Sequence, residues 1–189
     1  MSAPEAVLYG IRAVLFSLPA AFLFMYLRLY LRPPAQADGS LRGALRDWGA
    51  AFRSDAQFRR MFLLVFYTAL VLYITVAGRS YEPAPLSRVM GDWWFETEES
   101  TGAVSCRWLL NICMLMPFSF LLVLLRGREK SLPAALWLGV KAACLFSLLI
   151  ECAQLLLHTG TFQVSDLCYN TLGGLAGALF ARLLPKKEP

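Results

Sequence analysis

An all-α, polytopic membrane helix bundle of about five transmembrane helices plus one interfacial amphipathic helix is the fold this sequence predicts. Three observations predict it. Only 16% of residues are charged, against about a quarter in soluble domains. Hydrophobic residues make up 58%, with a mean hydropathy of +0.53. Apolar runs near the length needed to cross a hydrocarbon core of about 30 Å recur along the chain. No long polar segment separates them, so residues 1–189 read as a single membrane domain.

The first span is expected from about Ala6 to Leu31, with Arg12 near its start, Pro19 inside it, and Arg28, Arg32 and Pro33-Pro34 at its end. It lacks a basic n-region and a small-residue cleavage site, so it reads as retained rather than removed as a signal peptide. Residues 40–60 are different. Leu41, Leu45, Trp48 and Phe52 fall on one helical face, with Arg42, Arg46, Arg53 and Asp55 off it. That pattern suits an interfacial helix on anionic phospholipid; the rival reading is a helix packed on its own protein.

Span two follows from about Met61 to Ala77, ending at Gly78-Arg79. A polar loop, 80–105, carries a Trp93-Trp94-Phe95 cluster of the kind that dips into the headgroup layer, and Glu96, Glu98 and Glu99. Span three is expected from Trp108 to Leu125, with Asn111 and Pro117. Span four runs from about Pro133 to His158 and span five from about Ser165 to Leu184.

Charge sets the orientation. Basic residues cluster between spans one and two, in the turn Arg126 to Lys130, and at Arg182, Lys186 and Lys187. With five spans all three clusters share one side. The positive-inside rule then puts the C-terminus in the cytosol and the N-terminus outside. The same clustering explains the formal net charge of +5 by topology and anionic headgroups, and excludes nucleic acid as the partner. Cys106, Cys113, Cys144, Cys152 and Cys168 fit no zinc or CxxC spacing, so neither a metal site, a cofactor nor a disulfide framework is expected.

Polar residues inside the spans are the candidate site, because an ionisable group within a membrane segment is a functional hypothesis by default. Glu151 lies nine residues before Gly160 and Asp166 six after it, both within about 14 Å of the outer turn. Arg12, Arg79 and Asn111 fall at comparable depth. Glu151, Gln154 and His158 share one helical face, and Asp166, Asn170 and Gly173 share another. Gly173 with Gly177, and Gly174 with Ala178, are small-xxx-small pairs that let helix backbones approach, which should bring Asp166 towards Glu151. The bland readings stand beside these: a structural ion pair for Glu151, a first-turn role for Asp166, an interfacial place for His158, helix bridging for Gln154 and Asn170.

Glu151-x-x-Gln154, then Thr161-Phe162, Asp166, Asn170-Thr171 and Gly173-Gly174, resemble the signature of the VanZ-like membrane proteins. Asn111-Ile112 with Pro117-Phe118-Ser119-Phe120 resembles that family's Asn-Ile…Pro-Leu-Gly-Phe stretch, and Arg79 stands where the family tends to place an arginine. The resemblance is strongest over 61–184. Gly160 departs from it, standing where members often carry an arginine. The resemblance implies a bacterial inner-membrane protein of the cell envelope, from a family whose founding member is associated with teicoplanin-type glycopeptide resistance. Three functions are carried forward. One is binding of a lipid-linked anionic headgroup at the outer leaflet, with Arg79 and Arg12 on phosphate. The second is acid–base catalysis on a lipid-linked envelope precursor by Glu151 and Asp166. The third is a small lipid transporter.

Overall fold

The structure, a computed structural model, describes residues 3–32, 40–93 and 106–185, and every regular element among them is helical. The chain forms two compact units, Met1–Tyr73 and Ile74–Pro189.

The first unit contains α1 (Ala3–Leu31), α2 (Leu41–Ser54) and α3 (Ala56–Leu72). The sequence reads 40–60 as one interfacial helix. Asp55 breaks it instead. Asp55 adopts extended backbone, ending α2, and its side chain accepts from the Gln57 amide at 2.7 Å, starting α3. Arg59 reaches back to the Phe52 and Arg53 carbonyls at 3.0 and 2.8 Å, satisfying the open end of α2.

The apolar stripe of α2 is packed at one end and exposed at the other. Trp48 and Phe52 pack with Phe58, Phe62, Ala21 and Met25 inside the unit. Leu41 and Leu45, one turn apart at the other end, stay exposed.

A π-helical turn, Tyr73–Ala77, leads into the second unit. There follow a polar segment, α4 (Arg107–Arg126), α5 (Leu132–Leu157) and α6 (Val164–Leu183). Of the polar loop expected over 80–105, Trp94 to Ser105 lie outside the described residues. The described part, 80–93, has no regular structure and is called the strap below.

Among the described residues four helical stretches are long and apolar enough to cross a membrane: Pro4–Leu31, Ala56–Ala77, Trp108–Arg126 and Leu132–Leu157. The expected fifth span, α6, matches α4 at 20 residues but is not apolar enough to qualify by composition. Its neighbours supply the reason. α6 packs along both α4 and α5, and its covered face is mostly small or polar, with Ser165, Asn170, Gly173, Gly174, Gly177, Ala178 and Ala181 beside one large ring, Tyr169.

The glycines set the spacing of this unit. A Cβ on Gly173 would land on the Ile112 carbonyl, and one on Gly177 on the Met116 carbonyl, both in α4. Gly174 presses against α5, where a Cβ would meet Ala143 and lie 2.9 Å from the Gly139 carbonyl. The two small-xxx-small pairs therefore serve two partners, Gly173 and Gly177 facing α4, Gly174 and Ala178 facing α5. Ser119 of α4 donates to the Gly139 carbonyl at 3.2 Å and ties the third side of the triangle.

The ends of the second unit differ in charge. At one end Arg128 donates to the carbonyls of Leu184 and Pro185, and Arg182 donates to the Arg128 carbonyl at 2.7 Å, beside Arg126 and Lys130. At the other lie the α5–α6 turn, the start of α4 and the strap.

Candidate functional site

The site grows out of the α5–α6 turn. α5 ends at His158, which takes a left-handed conformation (φ 53°, ψ 42°) and caps with its amide on the Gln154 carbonyl. This removes His158 from the helical face it would share with Glu151 and Gln154. Its ring stacks on Tyr81 at 5.5 Å, with Nδ1 3.2 Å from the Glu82 carbonyl. The bond is reciprocated, since the Glu82 amide donates to the His158 carbonyl at 2.6 Å.

Further contacts lay the strap along the turn. The Phe162 amide donates to the Pro85 carbonyl at 2.9 Å, Val164 to Val89 at 2.9 Å, and Ser165 to Met90 at 3.3 Å. Gly91 makes the last approach possible. It sits at φ +74°, a conformation glycine adopts without penalty, and a Cβ there would strike the Ser165 side chain.

Beneath this cover the carboxylates are fixed one by one. Glu151 is 2% exposed and accepts the backbone N–H of Gln163 at 2.7 Å. This bond pins the turn to α5. Asp166 lies in the first turn of α6, where a negative charge favours the helix dipole, and accepts from the Asn111 amide at 2.6 Å. That bond joins α6 to α4. Among the described residues the hydrogen-bond partner of Glu151 is a backbone amide and that of Asp166 a side-chain amide, with no arginine within 4 Å of either.

The amides are bonded within the chain too. Gln154, buried, donates to the Thr75 carbonyl at 2.8 Å, a group belonging to the π-helical turn. This holds the turn that ends just before Arg79. Asn170 donates to Ser147 Oγ at 2.9 Å, one helical turn deeper than the carboxylates on both helices, while its own Oδ1 is buried without a partner.

Arg79 behaves differently. It is exposed, and its Nη1 lies 3.3 Å from the point a Cβ on Gly160 would occupy. It acts electrostatically on both Glu151 and Asp166. Among the described residues no hydrogen bond or ion pair within 4 Å engages its guanidinium. A Cβ at 160 would sit 3.1 Å from the Gln154 side chain and 3.3 Å from the Arg79 guanidinium, a close fit that these side chains would have to ease by a few tenths of an ångström.

The second unit therefore brings together Arg79, Asn111, Glu151, Gln154, His158, Asp166 and Asn170 at one end. Arg12 lies exposed on α1 of the first unit. Sequence reasoning missed the strap: Tyr81, Glu82, Gly91 and Asp92, the last 3.3 Å from Arg88 and acting on Asp166. A Gly-Asp pair closing a Pro-punctuated loop was the available signal, but a loop without periodicity reveals no partner. Among the described residues no three His, Cys, Asp or Glu side chains gather as a metal site.

Long apolar helices, four of them able to cross a membrane among the described residues, define a multi-pass membrane protein, and the strap-covered polar turn is its candidate site. The VanZ/LLP1 family matches residues 58–185, and the chain belongs to this VanZ-like family. No curated protein and no solved structure matches the chain.

Proposed function

We propose that this is a cell-envelope protein of the bacterial inner membrane that binds an anionic, lipid-linked headgroup in the outer leaflet through Arg79. One observation carries the reading: an exposed guanidinium, without a bonding partner among the described residues, stands at the rim of a turn whose carboxylates and amides are already bonded within the chain. A guanidinium presents a planar fork of donors that matches phosphate in two parallel bonds. The buried Glu151 carboxyl orients the turn, and the half-buried Asp166 carboxyl accepts sugar hydroxyls or peptide N–H groups of the headgroup. Asn111, Gln154 and Asn170 act as supports behind them.

Orientation follows from charge. The end carrying Arg126, Arg128, Lys130 and Arg182 belongs in the cytosol, which puts Arg79 and the strap outside and the N-terminus outside as well. Leu41 and Leu45, exposed beside Arg42 and Arg46 on α2, meet anionic phospholipid on the cytosolic side. Membership of the VanZ-like family extends the proposal to teicoplanin-type resistance, measured as the inhibitory concentration in a susceptible host expressing the protein or its Arg79→Gln variant.

The direct test uses full-length protein in nanodiscs, titrated with undecaprenyl phosphate and with undecaprenol. The phosphate form should bind better, and Arg79→Gln should weaken it about tenfold, the equivalent of one charge-assisted contact, without lowering thermal stability. Equal binding of the two lipids, or unchanged affinity in Arg79→Gln, removes the proposal.

A further inference from the structure

The strap turns an apolar surface away from the protein. Met90 is 71% exposed and Leu86 59%, and Tyr81 and Val89 are exposed with them. A tight run of turns, with Ser87 bonded to Ala84 and Gly91 to Arg88, holds these side chains in a compact ridge. The ridge is not loosely attached, because four backbone hydrogen bonds and the Gly91–Ser165 approach fasten it to the ends of α5 and α6. Packing of the second unit leaves Leu86 and Met90 uncovered.

We infer that this ridge is a membrane-inserted wedge, seated in the boundary between headgroups and acyl chains of the leaflet above the α5–α6 turn. Position supports lipid as the occupant. α5 is apolar enough to span, and its last residues Leu156 and Leu157 are exposed, Leu156 at 79%, so acyl chains must cover them. The strap begins beside that point, with Glu82 bonded to His158, and continues the apolar surface past the helix end. Charge agrees as well. Arg88, largely exposed, pairs with Asp92 at 3.3 Å, so the ridge carries its arginine into the boundary already partnered, with the aliphatic stem free to lie in the apolar layer. Apolar area of this kind facing water would be unfavourable at about 25 cal/mol per Å². In the boundary layer it is favourable and fixes the depth of the turn. The wedge rests on exposure and bonding of the strap alone; on the headgroup reading above, it brings Arg79 level with phosphate of the leaflet itself rather than of the aqueous phase.

The test places an environment-sensitive fluorescent amino acid at Leu86, at Met90 or, for comparison, at Lys130, in the full chain. Each protein is put into nanodiscs of phosphatidylethanolamine and phosphatidylglycerol, which leave both faces open to quencher. Lipids brominated near the top of the acyl chain should quench positions 86 and 90 at least about threefold more than Lys130, with iodide showing the reverse, as for side chains seated about 5–10 Å into the boundary. Iodide quenching at 86 and 90 equal to that at Lys130 would put the ridge in water and overturn the inference. Protection from both quenchers would put protein over the ridge, a second copy included, and would overturn it equally.

Discussion

Trp48 stacks on Phe52 with ring centroids 5.0 Å apart and meets the edges of Phe58 and Phe62 at 6.1 and 5.9 Å, so α1–α3 cohere through large rings. Gly173, Gly174 and Gly177 instead let α6 rest on the backbones of α4 and α5, and the polar bonds Asn111–Asp166, Gln163–Glu151 and Asn170–Ser147 cross between elements there. The contrast is physical. An aromatic cluster tolerates small shifts, because its contacts are many and individually weak. A backbone-to-backbone seam cannot, since carbonyls do not adopt another rotamer. The unit with the seam is also the one that carries the polar turn, where carboxyl groups bonded to neighbouring elements demand fixed helix positions.

Breaking the seam should have the largest effect. Gly173→Ala with Gly177→Ala drives two methyl groups into the Ile112 and Met116 carbonyls and should destabilise the second unit by about 3 kcal/mol or more. All five cysteines lie at or beyond position 106, so maleimide labelling of the half-buried Cys144 and Cys152 reports on this unit. Both should label rapidly in the double variant. Trp48→Ala comes next, at about 3 kcal/mol within α1–α3 for the loss of a large packed ring. It should lower the unfolding temperature while Cys144 and Cys152 keep their protection; rapid labelling would show that the two units fail together.

Asn111→Leu leaves Asp166 without its amide donor and should destabilise by about 2 kcal/mol. Pairing it with Asp166→Leu should recover most of that loss, because removing both partners leaves no unsatisfied group. A double variant as unstable as Asn111→Leu would deny that this bond is what joins α4 to α6. Asp55→Ala, deleting the cap that starts α3, should have the smallest effect, about 1 kcal/mol in thermal unfolding.

The sequence by itself determined that the chain is helical and enters a membrane, because apolar run length and charge scarcity follow directly from hydrocarbon thickness. It also picked out the α5–α6 turn and most of its residues, since a carboxylate in an apolar helix is conspicuous against its neighbours. Periodicity went too far twice. It carried His158 onto the Glu151 face, where a left-handed residue had already ended the helix, and it ran one helix through Asp55, where a side-chain cap was cheaper than continuation. Tertiary structure alone decided the rest. Which neighbour each glycine serves, whether Glu151 faces an arginine or a backbone amide, and that the strap lies along the turn are pairings between residues far apart in the chain. Local pattern carries no record of such pairings, because they depend on which backbones can approach closely enough to leave a polar group no other partner.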